Sequence, residues 1–235
     1  MANPWFRFKQ FTVWQDKAAM KVTTDGVLLG AWVRVDSRIT SVLDVGTGTG
    51  LIALMIAQRC GAVVDAMEID PLSAEQAREN VSRSPWPDRI RIVEGSFQEY
   101  AAATEIRYDL VVSNPPYFSD SMKPADRAKS RARHAESLTA NDLLDGTLKV
   151  LKPAGCLAVI LPAAQAGEFE FLARDRQLYV IRQCEVYPLK EGEPAWMLLE
   201  LSLRPRERVK ETLVIRNGDY TPEYRRLTGE FYLKY

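Results

Sequence analysis

Asn114, Pro115, Pro116 and Tyr117 directly follow an apolar run, Tyr108 to Val112, that reads as a buried parallel strand. They therefore stand at its carboxyl end, where open α/β sheets bind ligands. The Asn114 side-chain oxygen and the Pro115 carbonyl are two acceptors on a turn stiffened by proline, and Tyr117 adds an aromatic face. Such a set suits a planar group carrying an NH2, and a nucleobase amine is the first candidate. An isolated Asn-Pro-Pro is more often only a turn, so its surroundings have to carry the reading.

Upstream, Val42 to Val45 form a second apolar strand that runs into Gly46-Thr47-Gly48-Thr49-Gly50 and then into a helical pattern over Leu51 to Arg59. A glycine turn opening a helix allows close backbone approach and presents unpaired N–H groups to a nucleotide-like ligand. The Gly-x-Gly-x-Gly spacing departs from the dinucleotide fingerprint, and no Lys-Ser/Thr pair follows, which disfavours both NAD and ATP. The next strand, Val63 to Ile69, carries Glu68 about 20 residues beyond the glycines, the place of a ribose-binding carboxylate. Asp70 precedes Pro71 and a helical run to Ser82, so it reads equally as helix cap and as ligand contact. A third strand, Ile90 to Glu94, ends before Ser96 and Phe97, level with the adenine of such a ligand. An adenosine site without a pyrophosphate grip fits S-adenosylmethionine.

With these motifs in order, the chain resembles the Rossmann-like, S-adenosylmethionine-dependent methyltransferases that carry Asn-Pro-Pro-Tyr after their fourth strand. The stretches Phe8-Lys9-Gln10-Phe11, Met20-Lys21-Val22, Thr24-Asp25-Gly26, Leu28-Leu29-Gly30-Ala31-Trp32, Ser84-Pro85-Trp86 and Phe231-Tyr232-Leu233 extend the resemblance over nearly the whole chain. They are similar to those of bacterial enzymes that methylate N6 of adenine 37 in valine tRNA. The resemblance implies S-adenosylmethionine held by Asp44, Gly46, Gly48, Gly50, Glu68, Ser96 and Phe97, with Lys21, Thr24 and Asp25 closing over its methionine end. It implies Asn114, Pro115 and Tyr117 as the catalytic set. Many relatives have an Asp where this chain has Ser96, which leaves a hydroxyl to meet the adenine amine. The same tetrapeptide also serves enzymes acting on a glutamine side chain of a protein release factor or on guanine N2 of ribosomal RNA. Only about 40 residues precede the first core strand, too few for a separate recognition domain, which favours the tRNA reading.

Strands and helices alternate from Ser41 to Arg176, and two further strands follow near Leu178 to Tyr187 and Ala195 to Leu203. Alternation predicts an α/β fold with a mostly parallel sheet and helices on both faces, and the trailing pair is expected to be antiparallel. Counted with the resemblance, the sheet has seven strands, the last antiparallel. The expected organisation is an amino-terminal extension, 1–40, over the cofactor site; a core, 41–204; and a carboxyl-terminal extension, 205–235, packed on the core. A short helix over Thr24 to Val33 is expected to begin at a Thr or Asp cap.

The chain has 235 residues, is 46% hydrophobic and 26% charged, and carries no net charge, an ordinary globular composition. That balance excludes a uniformly basic nucleic-acid coat, yet Lys and Arg exceed Asp and Glu in 1–21, 122–136 and 204–235. The middle segment, with Lys123, Arg127, Lys129, Arg131 and Arg133, reads as a lid that meets RNA backbone phosphates, and Pro116 and Phe118 beside it are further expected substrate contacts. The Tyr and Arg residues of the last segment read either as an RNA clamp or as a packed tail. Three cysteines and one histidine cannot make the usual zinc cluster, so free thiols and no metal are expected. With neither a membrane-length apolar run nor a secretory leader, the expected location is the cytoplasm. The expected partner is the tRNA anticodon loop, with the protein a monomer or weak dimer and no obligate protein partner.

Overall fold

The computed structural model describes residues 3–116 and 138–234. Tyr117, Phe118, Lys123, Arg127, Lys129, Arg131, Arg133 and His134 lie outside the described residues. The elements are β1 (Trp5–Arg7), β2 (Thr12–Trp14), α1 (Thr24–Trp32), β3 (Ser41–Val45), α2 (Leu51–Arg59), β4 (Val63–Glu68), α3 (Pro71–Ser82), β5 (Ile90–Glu94), α4 (Phe97–Ala103) and β6 (Tyr108–Ser113). Beyond the segment not described come α5 (Ala140–Val150), β7 (Leu151–Pro162), α6 (Ala163–Asp175), β8 (Tyr179–Leu189), β9 (Trp196–Ser202), β10 (Val209–Asn217), β11 (Asp219–Tyr220) and α7 (Pro222–Thr228).

The main sheet has nine strands in the order β11-β10-β8-β9-β7-β6-β3-β4-β5. The seven strands expected from the sequence form its body, and β9 runs antiparallel between β7 and β8. The sequence reading missed β10 and β11, which extend the edge; β10 pairs parallel with β8. From β3 the chain steps outward to β4 and β5, then returns to the other side of β3 as β6. That reversal opens a crevice between the carboxyl ends of β3 and β6, the usual ligand position in such sheets. Val45 lies opposite Ser113 in the β3/β6 register, and the Ser113 hydroxyl donates to the Val45 carbonyl at 2.8 Å. The glycine turn and Asn114 thus leave the sheet side by side.

Each face of the sheet carries its own apolar core. Helices α1 and α2 pack on one face, together with Tyr224 of α7 and with Phe231. Helices α4, α5 and α6 cover the other through residues such as Phe97, Leu143 and Phe169. Central strands buried on both faces need unbroken apolar runs, which is why Val42-Leu43 and Leu110-Val111-Val112 do not alternate.

The two terminal segments meet over the α1/α2 face. Strands β1 and β2 form an antiparallel hairpin, and the Lys9 N–H donates to the Phe231 carbonyl at 2.8 Å. Phe8 packs between Phe6 and Phe11, tilted against the first and stacked on the second, with centroid separations of 4.8 and 4.7 Å, and Tyr232 joins the group. Tyr224 is buried and stacks on Tyr220 at 5.1 Å. Tyr224 is therefore a packing residue, while Tyr220 and Tyr232 are half-buried.

Candidate active site

The glycine turn takes its shape from three left-handed residues: Gly46, Gly48 and Gly50 have φ of 73°, 56° and 83°, where a Cβ is penalised. A Cβ at Gly46 or Gly48 would meet nothing within 4 Å, so these two keep the backbone open to the crevice. Beneath the turn, Asp44 is fully buried and its Oδ2 accepts from the Thr47 hydroxyl at 2.6 Å and the Ala53 N–H at 3.2 Å. Its Oδ1 has no partner among the described residues. Burial raises the Asp44 carboxyl to about 7, against the lowering effect of those two donors and with a further push from the charge of Glu68.

Glu68, at the end of β4, is locked by backbone. Its Oε2 accepts from the Gly48 N–H at 2.8 Å and its Oε1 from the Asp70 N–H at 2.9 Å. Each oxygen keeps a further acceptor site, so the carboxylate is pre-aimed without being used up. Asp70 caps α3, accepting from the Ser73 N–H at 2.8 Å with Pro71 at the first helical position.

A cavity of about 600 Å³ opens over these strand ends. Its walls include Gly46 and Gly48 from the turn, Glu68 and Asp70 from the β4 end, Phe97 and Gln98 from α4, and Asn114, Pro115 and Pro116 from the β6 end. Lys21, Thr23 and Asp25 close it from the amino-terminal segment. Three buried side chains hold that segment in place. Asn80 of α3 donates to the Thr49 and Trp14 carbonyls at 2.9 and 2.8 Å and accepts from the Trp14 N–H, so one amide ties the glycine turn to the hairpin. Gln76 accepts from the Lys17 N–H and Gln15 from the Val22 N–H, at 3.0 and 2.8 Å.

Four expected cofactor contacts sit outside the cavity wall. Asp44 is beneath the turn, bracing it. Gly50 is the N-cap of α2 and faces Ala77, whose Cβ would be 3.6 Å from an added Cβ. Ser96 caps α4, and its hydroxyl donates to Gln98 at 2.9 Å; Gln98, which the sequence reading passed over, is the polar residue that reaches the wall there. Thr24 is the first residue of α1, whereas the cap, and the wall residue, is Thr23. Ser-x-Gln and Thr-Thr give no sequence signal for which member faces inward, since that depends on where the helix starts.

Asn114 is half-buried and Pro115 buried, while Pro116 is exposed. The Asn114 Nδ2 donates to the Asp25 Oδ2 at 3.1 Å, a contact across 89 residues of sequence that the motif alone does not reveal.

Residues 27–175 match the family model described as the methyltransferase small domain. A relative from Parabacteroides distasonis, a tRNA1(Val) (adenine(37)-N6)-methyltransferase, is 47% identical with 100% of each chain covered. A relative of the same description from Trichodesmium erythraeum is 48% identical, again with 100% of each covered. The chain belongs to this methyltransferase family. It is an S-adenosylmethionine-dependent enzyme. The fold agrees: a predicted O-methyltransferase from Agrobacterium tumefaciens matches with a TM-score of 0.70 at 18% identity, covering 88% of this chain and 96% of that one.

The cavity fits the cofactor of this methyltransferase family. Open Cβ positions at Gly46 and Gly48 admit a ligand against the backbone, and Glu68 offers two oriented acceptors to a ribose diol. Lys21, in the wall, would present a cation to the cofactor's carboxylate. Among the described residues no cluster of His, Cys, Asp or Glu could hold a metal, and no helix is long and apolar enough to cross a membrane.

Proposed function

We propose that this enzyme methylates the exocyclic N6 of adenine 37 in the anticodon loop of valine tRNA, in the cytoplasm. The observation that carries the acceptor half is the placement of Asn114 and Pro115 in the same cavity wall as the glycine turn and Glu68. The choice of tRNA and base rests on the full-length relatives described by that activity.

Bound S-adenosylmethionine supplies an activated methyl group, so the protein needs position and electrostatics rather than a side-chain nucleophile. Adenine N6 is a weak nucleophile because its lone pair is delocalised into the ring. Asn114 Oδ1 and the Pro115 carbonyl each accept one N–H of the amine, which holds it in place and favours the tetrahedral nitrogen that forms as positive charge develops. The surplus proton then leaves to water. By sequence, Tyr117 supplies the stacking ring, and the basic residues from Lys123 to Arg133 supply phosphate contacts. A loop base can be splayed out at modest cost, so no duplex has to be opened.

The test is incubation of unmodified total RNA with labelled S-adenosylmethionine and the enzyme, followed by nucleoside analysis and mapping. Label in N6-methyladenosine at position 37 of valine tRNA is expected. Label in 2-methylguanosine, or transfer to a protein fraction, overturns the proposal.

A further inference from the structure

We infer that Asp25 is a positioning residue that fixes which way the Asn114 amide faces and strengthens its oxygen as an acceptor. The inference rests on the proposed role of Asn114 and goes beyond it. Asp25 lies in the first turn of α1 and is 7% exposed. Its Oδ2 is 3.1 Å from Asn114 Nδ2. A carboxylate only accepts hydrogen bonds, whereas an amide presents an oxygen on one side and two N–H groups on the other. Flipping Asn114 would set its oxygen against the Asp25 oxygen at hydrogen-bond distance, so the carboxylate selects the orientation with the amide nitrogen toward α1. The Asn114 oxygen is thereby left for the substrate amine. An unconstrained asparagine could equally present its NH2, which repels an amine donor and would not support methylation.

Local packing brings the first turn of α1 close to the β6 end. Gly26, next to Asp25, has no side chain where a Cβ would stand 3.1 Å from Leu51 Cδ2 and 3.8 Å from Asn114 Nδ2. The Thr23 hydroxyl caps the same turn by accepting from the Gly26 N–H at 3.4 Å. A negative carboxylate hydrogen-bonded behind an amide also draws electron density toward the amide oxygen, as linked hydrogen bonds polarise one another. The effect is directed at the place where nitrogen becomes positive. Asp25 thus acts through Asn114 from its place in the cavity wall.

The test compares wild type, D25A, D25N, N114A and D25A/N114A in single-turnover and steady-state rates at saturating tRNA and cofactor, with S-adenosylmethionine affinity measured by calorimetry on each protein. Calorimetry also verifies folding without relying on turnover. D25A is expected to lower kcat by about 100-fold, the scale of a misplaced catalytic group, with cofactor Kd within about threefold of wild type. D25N, which keeps an acceptor but not the charge, is expected to recover part of that loss. Adding D25A to N114A is expected to lower the rate no further, since the residue through which Asp25 acts is gone. The inference falls if D25A leaves kcat within about threefold of wild type, if its whole effect is in cofactor affinity, or if its loss multiplies undiminished onto that of N114A. Absence of N6-methyladenosine with wild-type enzyme would instead sink the proposed function, and Asp25 would then be judged on whichever acceptor the enzyme uses.

Discussion

Replacing Glu68 by glutamine tests the cofactor half of the site with one atom. The carboxylate accepts the Gly48 N–H on one oxygen and the Asp70 N–H on the other, at 2.8 and 2.9 Å. Whichever way the new amide turns, one of those backbone donors meets an NH2 group. The same atom no longer accepts a ribose hydroxyl. Hydrogen bonds to a charged partner contribute ~1.5–3 kcal/mol each, so losing one such bond to the ribose should weaken Kd by about 10- to 100-fold. Leaving a backbone N–H facing a donor costs ~1–2 kcal/mol in the free protein, or a fall in Tm of about 2–8 °C for a chain of this size. Calorimetry with S-adenosylmethionine and with S-adenosylhomocysteine measures the first quantity, and thermal unfolding without ligand the second. Both ligands carry the same ribose, so both should lose the same factor. E68Q binding within about threefold of wild type, or a loss confined to the sulfonium ligand, would refute the assignment.

Gly146 in α5 packs against Phe97, where an added Cβ would stand 2.4 Å from Cε1 and 2.7 Å from Cζ. G146A must push that ring, which lines the cavity; it should cost ~1–3 kcal/mol of stability by overpacking and weaken cofactor binding several-fold, as read by thermal unfolding and calorimetry. Asp44 gives a pH prediction. Because burial lifts its carboxyl from 3.8 to about 7, the folded state holds a proton that the unfolded state has released, and stability falls as pH rises through that window, by up to ~4 kcal/mol. D44N does not titrate, so urea unfolding from about pH 4 to 8 should show wild type losing stability relative to D44N; parallel profiles would refute the burial argument.

What could be read from the sequence divides along a physical line. The strand-turn-helix units were legible because each is local: the helix over Leu51 to Arg59 and the strand over Ile90 to Glu94 match α2 and β5 residue for residue, and a glycine turn between apolar runs is a contiguous signal. Strand β10 is not, because Lys210, Thr212, Arg216 and Asn217 are exposed along it, and a half-exposed strand with such residues reads as a charged tail. The resemblance singles out Asp25 as a residue closing over the cofactor, but its contact with Asn114 depends on the meeting of α1 with the β6 end, which no spacing encodes. The same holds for Asn80, whose amide joins Trp14 to Thr49. Polar side chains buried between distant segments carry no periodic signature, since one pairing is enough to satisfy them.

The placement of Asp25 also explains why a helix outside the core sheet is held so firmly. A group that aims an amide must be fixed to a fraction of an ångström, and a helix of nine residues, though buried along its length, holds its first turn best when its far end is tied down. At that end, Arg59 of α2 donates to the Gly30 and Val33 carbonyls at 2.8 and 2.7 Å, taking up carbonyls that the helix end leaves free. Arg182 lies 3.9 Å above the Trp32 ring, and Glu211 accepts from both Trp32 Nε1 and Arg182 Nε, at 2.7 and 3.0 Å. Gly30 allows α1 to lie directly on Met55 of α2. Strands β8 and β10 supply Arg182 and Glu211, so the part of the sheet farthest from the chemistry in sequence anchors the helix whose first turn orients Asn114. The carboxyl-terminal strands are in this sense part of the catalytic scaffold, and weakening the Arg182–Trp32–Glu211 contact should reach the active site as a loss of Asn114 order before it is felt in the cofactor pocket.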